Sequence, residues 1–182
     1  GYEGTSASVD VYSDAEEVEL FLNDESLGRK KAGKENQYMA EFTVPYQAGT
    51  LMAIDYVNGM ERGRYSLETA KKSTTLDVKM DKKVLTANGQ DLCYLNITLC
   101  DESGKTNQQE IKQITVSVDG AGKLQGLGSS NPSNEEDYFD RCCNTFDGDA
   151  MACVRAGHES GINTVTISAN GCEDVVRKIE VR

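Results

Sequence analysis

The sequence predicts an all-β protein built as two tandem immunoglobulin-like β-sandwich domains, over residues 1–70 and 71–182. Three observations carry this. Apolar and polar residues alternate with period two in one short stretch after another, the signature of half-buried strands. Between those stretches lie short polar turns, made by glycine and asparagine rather than proline, for the chain has 17 Gly and 2 Pro. No stretch carries the 3.6-residue period of an amphipathic helix, and no helix of any length is predicted.

Ser8–Tyr12 is the first short alternating strand, and Ser13–Glu16 turns it into a hairpin. In that hairpin Val18, Leu20 and Leu22 alternate with Glu17, Glu19 and Phe21. Asn23-Asp24-Glu25 reads as the turn and Ser26–Lys30 as the return strand. After a polar turn at 32–36, Tyr38, Ala40, Phe42 and Val44 alternate with Met39, Glu41 and Thr43. Thr50–Val57 is apolar on both faces and is expected at the centre of a sheet. Asn58-Gly59 is a two-residue hairpin signal that requires positive φ, and Met60–Thr69 closes the hairpin. Six or seven strands in about 70 residues fit one small sandwich.

Ala70–Ser73 is a polar joint, too short for a flexible tether. In the second domain Leu76, Val78 and Met80 alternate with Asp77 and Lys79. Beyond a loop at 86–91, Cys93, Leu95, Ile97 and Leu99 form one face of a long strand, with Tyr94, Asn96 and Thr98 on the other. Ile114, Val116 and Val118 mark the next strand. Residues 119–128 are glycine-rich, anchored by Leu124 and Leu127. Residues 129–144 carry no strand signal and read as a surface crossover loop. Ala150, Ala152 and Val154 share one strand face, Gly161–Ala169 is a strand, Asn170-Gly171 is a turn, and Val175–Val181 closes the domain.

Charge and composition exclude several functions. Up to residue 70 there are 6 basic and 13 acidic residues, and after it 13 and 17. Both halves repel phosphate backbones, so no nucleic-acid partner is expected. No apolar run approaches the roughly 18 residues of a membrane helix, no secretory leader is visible, and no membrane partner is expected. The chain opens close to its first strand and reads as a piece of a longer polypeptide. Cys93 and Cys100 lie roughly 23 Å apart along one strand on opposite faces and cannot bridge. Cys142 and Cys143 are adjacent, no CxxC occurs, and His158 is the one histidine. The cysteines therefore read as mostly reduced, which favours a reducing, cytoplasmic compartment and leaves a secreted or surface location open.

The candidate chemistries fail in turn. The acidic clusters (16–19, 24–25, 135–137 and 147/149) sit in turns or on solvated faces, unlike the desolvated pair a glycosidase needs. Asp147-Gly148-Asp149 begins like a calcium loop, but no EF-hand pattern follows. His158 lies in a hydrophilic glycine-flanked turn, and Gly120–Gly126 lacks the spacing and helix of a phosphate loop. Asn96-Ile97-Thr98 is a formal glycosylation sequon inside a strand. No catalytic residue, cofactor or metal is therefore expected. Sugars are commonly held on aromatic platforms, and Tyr138-Phe139 is the aromatic pair in a presenting position. Tyr138, with Asn131 of the same loop, is the candidate sugar contact.

Val11–Asn23, with Ser26-Leu27-Gly28, resembles the stretch that opens an immunoglobulin-like accessory domain behind the catalytic barrel of bacterial family 2 glycoside hydrolases. Phe42–Tyr46, Gly49–Leu51 and Ala53 extend the resemblance. Thr86-Ala87-Asn88-Gly89-Gln90-Asp91-Leu92, Gly122-Lys123-Leu124 with Gly126 and Gly128, Asn131-Pro132, Phe146 to Ala150, and Gly161 to Ala169 resemble the C-terminal immunoglobulin-like domain of the same family, in the same order. The sequence departs from the pattern at Asp24, where the family usually has glycine, and in its cysteines around Cys142. The resemblance implies a non-catalytic C-terminal part of a β-galactosidase-like enzyme. The catalytic barrel of the parent chain is then the expected partner, and carbohydrate a further one. A stand-alone carbohydrate-binding module and an adhesin-type surface spacer are the alternatives.

Overall fold

The computed structural model describes residues 3–182. The chain divides into two compact units, Gly1–Thr69 and Ala70–Arg182. Each is an immunoglobulin-like β-sandwich.

The first unit has six strands: β1 (Ser6–Tyr12), β2 (Glu17–Leu22), β3 (Glu25–Lys31), β4 (Met39–Pro45), β5 (Thr50–Val57) and β6 (Met60–Glu68). They form a four-stranded sheet in the order β3-β2-β5-β6 and a two-stranded sheet β1-β4. The alternation in β2 does what period two requires: Val18, Leu20 and Leu22 are buried while Glu17, Glu19 and Phe21 are half-buried. Val18 and Leu20 meet Ala40, Phe42 and Val44 of β4 in a small core. Strand β5 is central as expected. On its outer side, Arg29 stacks 3.6 Å from the centre of the Tyr56 ring.

Two expectations fail locally here. Tyr38 lies outside the strand, at φ 62°, because Gly33 and Tyr38 close a turn around the 3₁₀ segment Lys34–Asn36, with the Tyr38 N–H on the Gly33 carbonyl at 2.7 Å. That segment is itself a short helical turn where none was expected. The turn at Asn23-Asp24 keeps its hairpin geometry despite lacking glycine. Both residues take positive φ, 51° and 67°, and Leu22 faces Glu25 across the strands.

The second unit pairs a four-stranded sheet, β11-β13-β9-β7, with a five-stranded sheet, β12-β10-β14-β15-β8. The strands are β7 (Thr75–Met80), β8 (Val84–Leu85), β9 (Leu92–Cys100), β10 (Gln113–Asp119), β11 (Gly122–Gly128), β12 (Cys142–Asn144), β13 (Asp149–Ala156), β14 (Gly161–Ala169) and β15 (Val175–Val181). Their inward residues make one core, with Cys93, Leu95, Ile97, Val116, Val154, Ile167 and Ile179 fully buried. Strand β8 runs parallel to β15, a pairing with no counterpart in local pattern.

Strands β8, β11 and β12 were not expected. Strand β11 reads Gly-Lys-Leu-Gln-Gly-Leu-Gly with a bulge between Leu124 and Gly126, so its inward leucines stand three residues apart and the period of two is broken. Strand β12 lies inside the stretch read as a surface loop. Its backbone pairs with β10, Cys142 opposite Thr115, and Cys143 is driven inward beside Ile114. Cys100, on the opposite face from Cys93, is also buried, because the 101–107 loop folds back over the strand end, with the Asn107 N–H on the Leu99 carbonyl at 2.9 Å. All six cysteines are free thiols. Burial pushes the thiols of Cys93 and Cys143 up to about 11.

The joint residues belong to the second unit. The Lys71 N–H donates to Asp101 and the Ser73 N–H to Glu110. Asp101 also accepts the Ser103 hydroxyl at 2.6 Å and the Lys105 N–H, which holds its carboxyl far below the ordinary carboxylate range, the Ser103 bond first.

Candidate functional site

The outer face of the β11-β13-β9-β7 sheet carries a groove of about 710 Å³, within the usual size of a ligand site. Register explains its lining. Strand pairing puts Lys79, Asn96, Met151 and Gly128 on one rung across all four strands. The neighbouring rungs hold Asp77, Thr98 and Asp149 on one side, and Tyr94, Cys153 and Gly126 on the other. Successive rungs on one face lie about 7 Å apart and strands about 4.8 Å apart. The groove is therefore a flat strip with its lowest edge at the two glycines.

Tyr138 walls that edge. A Cβ on Gly128 would lie 2.5 Å from the Tyr138 ring, so glycine there is what lets the ring lie against the strand backbone. The Tyr138 carbonyl accepts the Leu127 N–H at 2.8 Å, tying this part of the loop along the free edge of β11. Tyr138 is nonetheless 54% exposed. An Asp137-capped turn, in which the carboxylate accepts the Phe139 N–H at 2.9 Å, sets Phe139 out at 77% exposed. The rest of the loop is fixed by its own polar groups. Glu136 accepts from the Asn144 backbone and amide, and Asn134 caps the Glu136 N–H.

Along the floor, the Thr98 hydroxyl donates to Asp149 at 2.6 Å. Lys79 pairs with Asp77 at 3.1 Å. The exposed Asn96 amide has no partner among the described residues. Asp149 reaches this position through a tight turn: Asp147 and Gly148 take φ 51° and 81°, and Phe146 and Asp149 exchange both backbone hydrogen bonds at 3.0 Å. The aspartates of that stretch thus serve a hairpin and a groove. Among the described residues no group of three or more His, Cys, Asp or Glu side chains is placed to hold a metal.

Tyr138 thus lines the groove, but Asn131 does not. Its side-chain oxygen accepts the Ser133 N–H at 3.0 Å and closes a turn. The groove residues Asn96, Thr98, Asp149 and Met151 were legible only as an outward strand face. What joins them to Tyr138 is four-strand register, which no local pattern displays. The other motifs lie at turns and close backbone approaches. His158 lies against Gly89, whose own φ is 69°. Gly120 allows its backbone to approach the Ile162 carbonyl, which a Cβ would meet at 2.0 Å. The Thr86–Leu92 loop is held by Asn88, which accepts two N–H groups at 2.8 Å, and by Asp91, which accepts from Thr86 and Lys82.

The fold and this loop chemistry define a tandem pair of immunoglobulin-like β-sandwiches. Comparison places it: the family model described as glycoside hydrolase family 2 C-terminal domain 5 matches residues 76–177, and a domain of unknown function, DUF4982, matches 4–63. The chain belongs to glycoside hydrolase family 2. It is 29% identical over 168 residues to the β-galactosidase BoGH2A of Bacteroides ovatus, covering 92% of this chain and 20% of that one. It is 33% identical over 130 residues to a putative β-glucuronidase of Formosa agariphila, covering 71% of this chain and 13% of that protein. The solved structure of a family 2 glycosyl hydrolase from Bacteroides cellulosilyticus superposes on all of this chain with a TM-score of 0.87 at 34% identity, using 24% of its own length. The chain thus spans about a fifth of the B. ovatus relative.

Proposed function

We propose that these two units are a non-catalytic accessory region of a β-galactosidase-like family 2 hydrolase, and that the first unit packs against the rest of the enzyme. One observation carries this reading. Tyr65 and Leu67 of β6 are paired in register with Ala53 and Leu51 of β5. Those two pack on the core of the first unit, so Tyr65 and Leu67 stand on the core-facing side of their sheet. Yet they are 72% and 57% exposed, because the opposing sheet has two strands against four and stops short of β6. An inward-facing apolar edge left in water is the surface that a larger neighbour covers.

Two measurements test the reading. The isolated chain is expected to release no chromophore from nitrophenyl β-galactoside or β-glucuronide, and turnover by the pure chain would overturn the non-catalytic assignment. In the enzyme carrying this region, Tyr65→Ser with Leu67→Ser should cost roughly 3 kcal/mol of stability while leaving the isolated chain's Tm nearly unchanged. An equal effect in both contexts would refute packing through this edge.

A further inference from the structure

We propose that the groove on the outer face of the β11-β13-β9-β7 sheet binds an uncharged oligosaccharide, lying across the strands with one sugar against Tyr138. This assignment is independent of how the first unit packs, so each can fail alone.

A sheet face has its backbone hydrogen bonds already used, so it cannot hold an extended peptide by strand addition, and whatever binds must be held by side chains. Those side chains alternate between kinds. Asn96 offers a free amide donor and acceptor, and Asp149 keeps a carboxylate oxygen beyond the one bonded to Thr98. Met151, 47% exposed, and the Tyr138 ring offer apolar contact. A pyranose has the matching duality, with C–H faces that pack on an aromatic ring and a rim of hydroxyls that both donate and accept. Lys79 is paired with Asp77, which leaves Asp149 as the one uncompensated charge of the strip among the described residues, and it is negative. The chain around it carries −11, which disfavours uronates and sulfated sugars.

The site is also built rather than incidental. Gly126 and Gly128 remove side chains where the floor must be low, and Gly128 seats the Tyr138 ring. The Tyr138 backbone is tied to β11 and the following turn is capped by Asp137, so the aromatic wall is fixed before a ligand arrives and little ordering is left to binding. From the strand of Lys79 to that of Gly128 is roughly 14 Å, room for a short run of sugars.

The test uses the 182-residue chain on an array of neutral and uronate-containing oligosaccharides. Isothermal titration with the highest-scoring tetrasaccharide follows. Binding to neutral glycans is expected, weakened about tenfold by Tyr138→Ala and several-fold by Asn96→Ala, with unchanged melting. Both residues are exposed, so both variants fold. A second readout needs no variant. Of the five methionines, Met151 alone lines the groove, so its methyl NMR signal should shift on titration while those of Met39, Met52, Met60 and Met80 stay fixed. Absence of binding to every glycan overturns the proposal. Binding that both variants leave intact, or that moves other methionines and not Met151, does the same.

Discussion

Asp24 shows how a single residue can be tolerated against its own preference. The β2–β3 turn needs positive φ at both central positions, and Asn23 earns its place there twice over: its side-chain oxygen accepts the Thr50 N–H at 2.8 Å and its amide donates to the Ala48 carbonyl at 3.1 Å. Asp24 makes no comparable bond among the described residues, so its left-handed backbone at φ 67° is uncompensated strain. Asp24→Gly is expected to stabilise the first unit by about 0.5–1 kcal/mol, what remains of the roughly 1–2 kcal/mol cost of left-handed backbone in an L-residue after glycine's larger entropy loss on folding. Urea unfolding would measure it, and a loss of stability would show that the aspartate holds something unseen. Asn23→Gly should go the other way, because it would free two backbone groups of the β4–β5 connection.

At the scale of elements, what could be read from the sequence divides by how each strand is specified. Strands β2, β4, β9 and β13 were legible because one face of each is buried, and burial writes period two into the residues. Strand β11 was not, because a bulge between Leu124 and Gly126 sets its inward leucines three residues apart. Strand β12 was not, because the three residues Cys142-Cys143-Asn144 are too few to carry a period and are specified by their partner β10. Tyr138 was legible as a presented aromatic, but its neighbours in the groove were not, since they come from strands far apart in sequence. The loop joining β8 to β9 was legible as a loop but not as a polar clamp. The Lys82 ammonium of the β7–β8 connection, at 2.6 Å, and then the Thr86 N–H of the loop itself pull the Asp91 carboxyl down to about 2 from an ordinary 3.8. The sign of the linkage follows. A folded value below the unfolded one adds stability in full above the unfolded value, and that stability is lost as pH falls from about 4 toward 2. The Tm of the wild type should therefore hold from pH 7 to 5 and fall below about 4. Asp91→Asn should lower Tm at pH 7 and flatten the acid limb between 4 and 2. Parallel acid limbs in the two proteins would place the acid sensitivity elsewhere.

At the scale of the whole molecule, the two cores are unequal and share no residue. The first gathers six buried side chains, from Val18 to Val44, with its β6 edge uncovered, whereas the second gathers twenty. Stability rises with the apolar area a unit removes from water, so the second unit is the more stable of the two and the first depends more on what covers it. Leu95, fully buried at the centre of the second core, tests this division. Leu95→Ala removes a branched side chain where strands on both sides prevent collapse and should cost about 2–5 kcal/mol. The loss should be confined to residues 70–182. Hydrogen exchange read residue by residue would show faster exchange in β9, β13 and β14, with protection in β2 and β5 unchanged. Equal loss of protection in both units would mean that they unfold as one body. In that case the second core would support the first, and the open β6 edge would not be the weak side of the first sandwich.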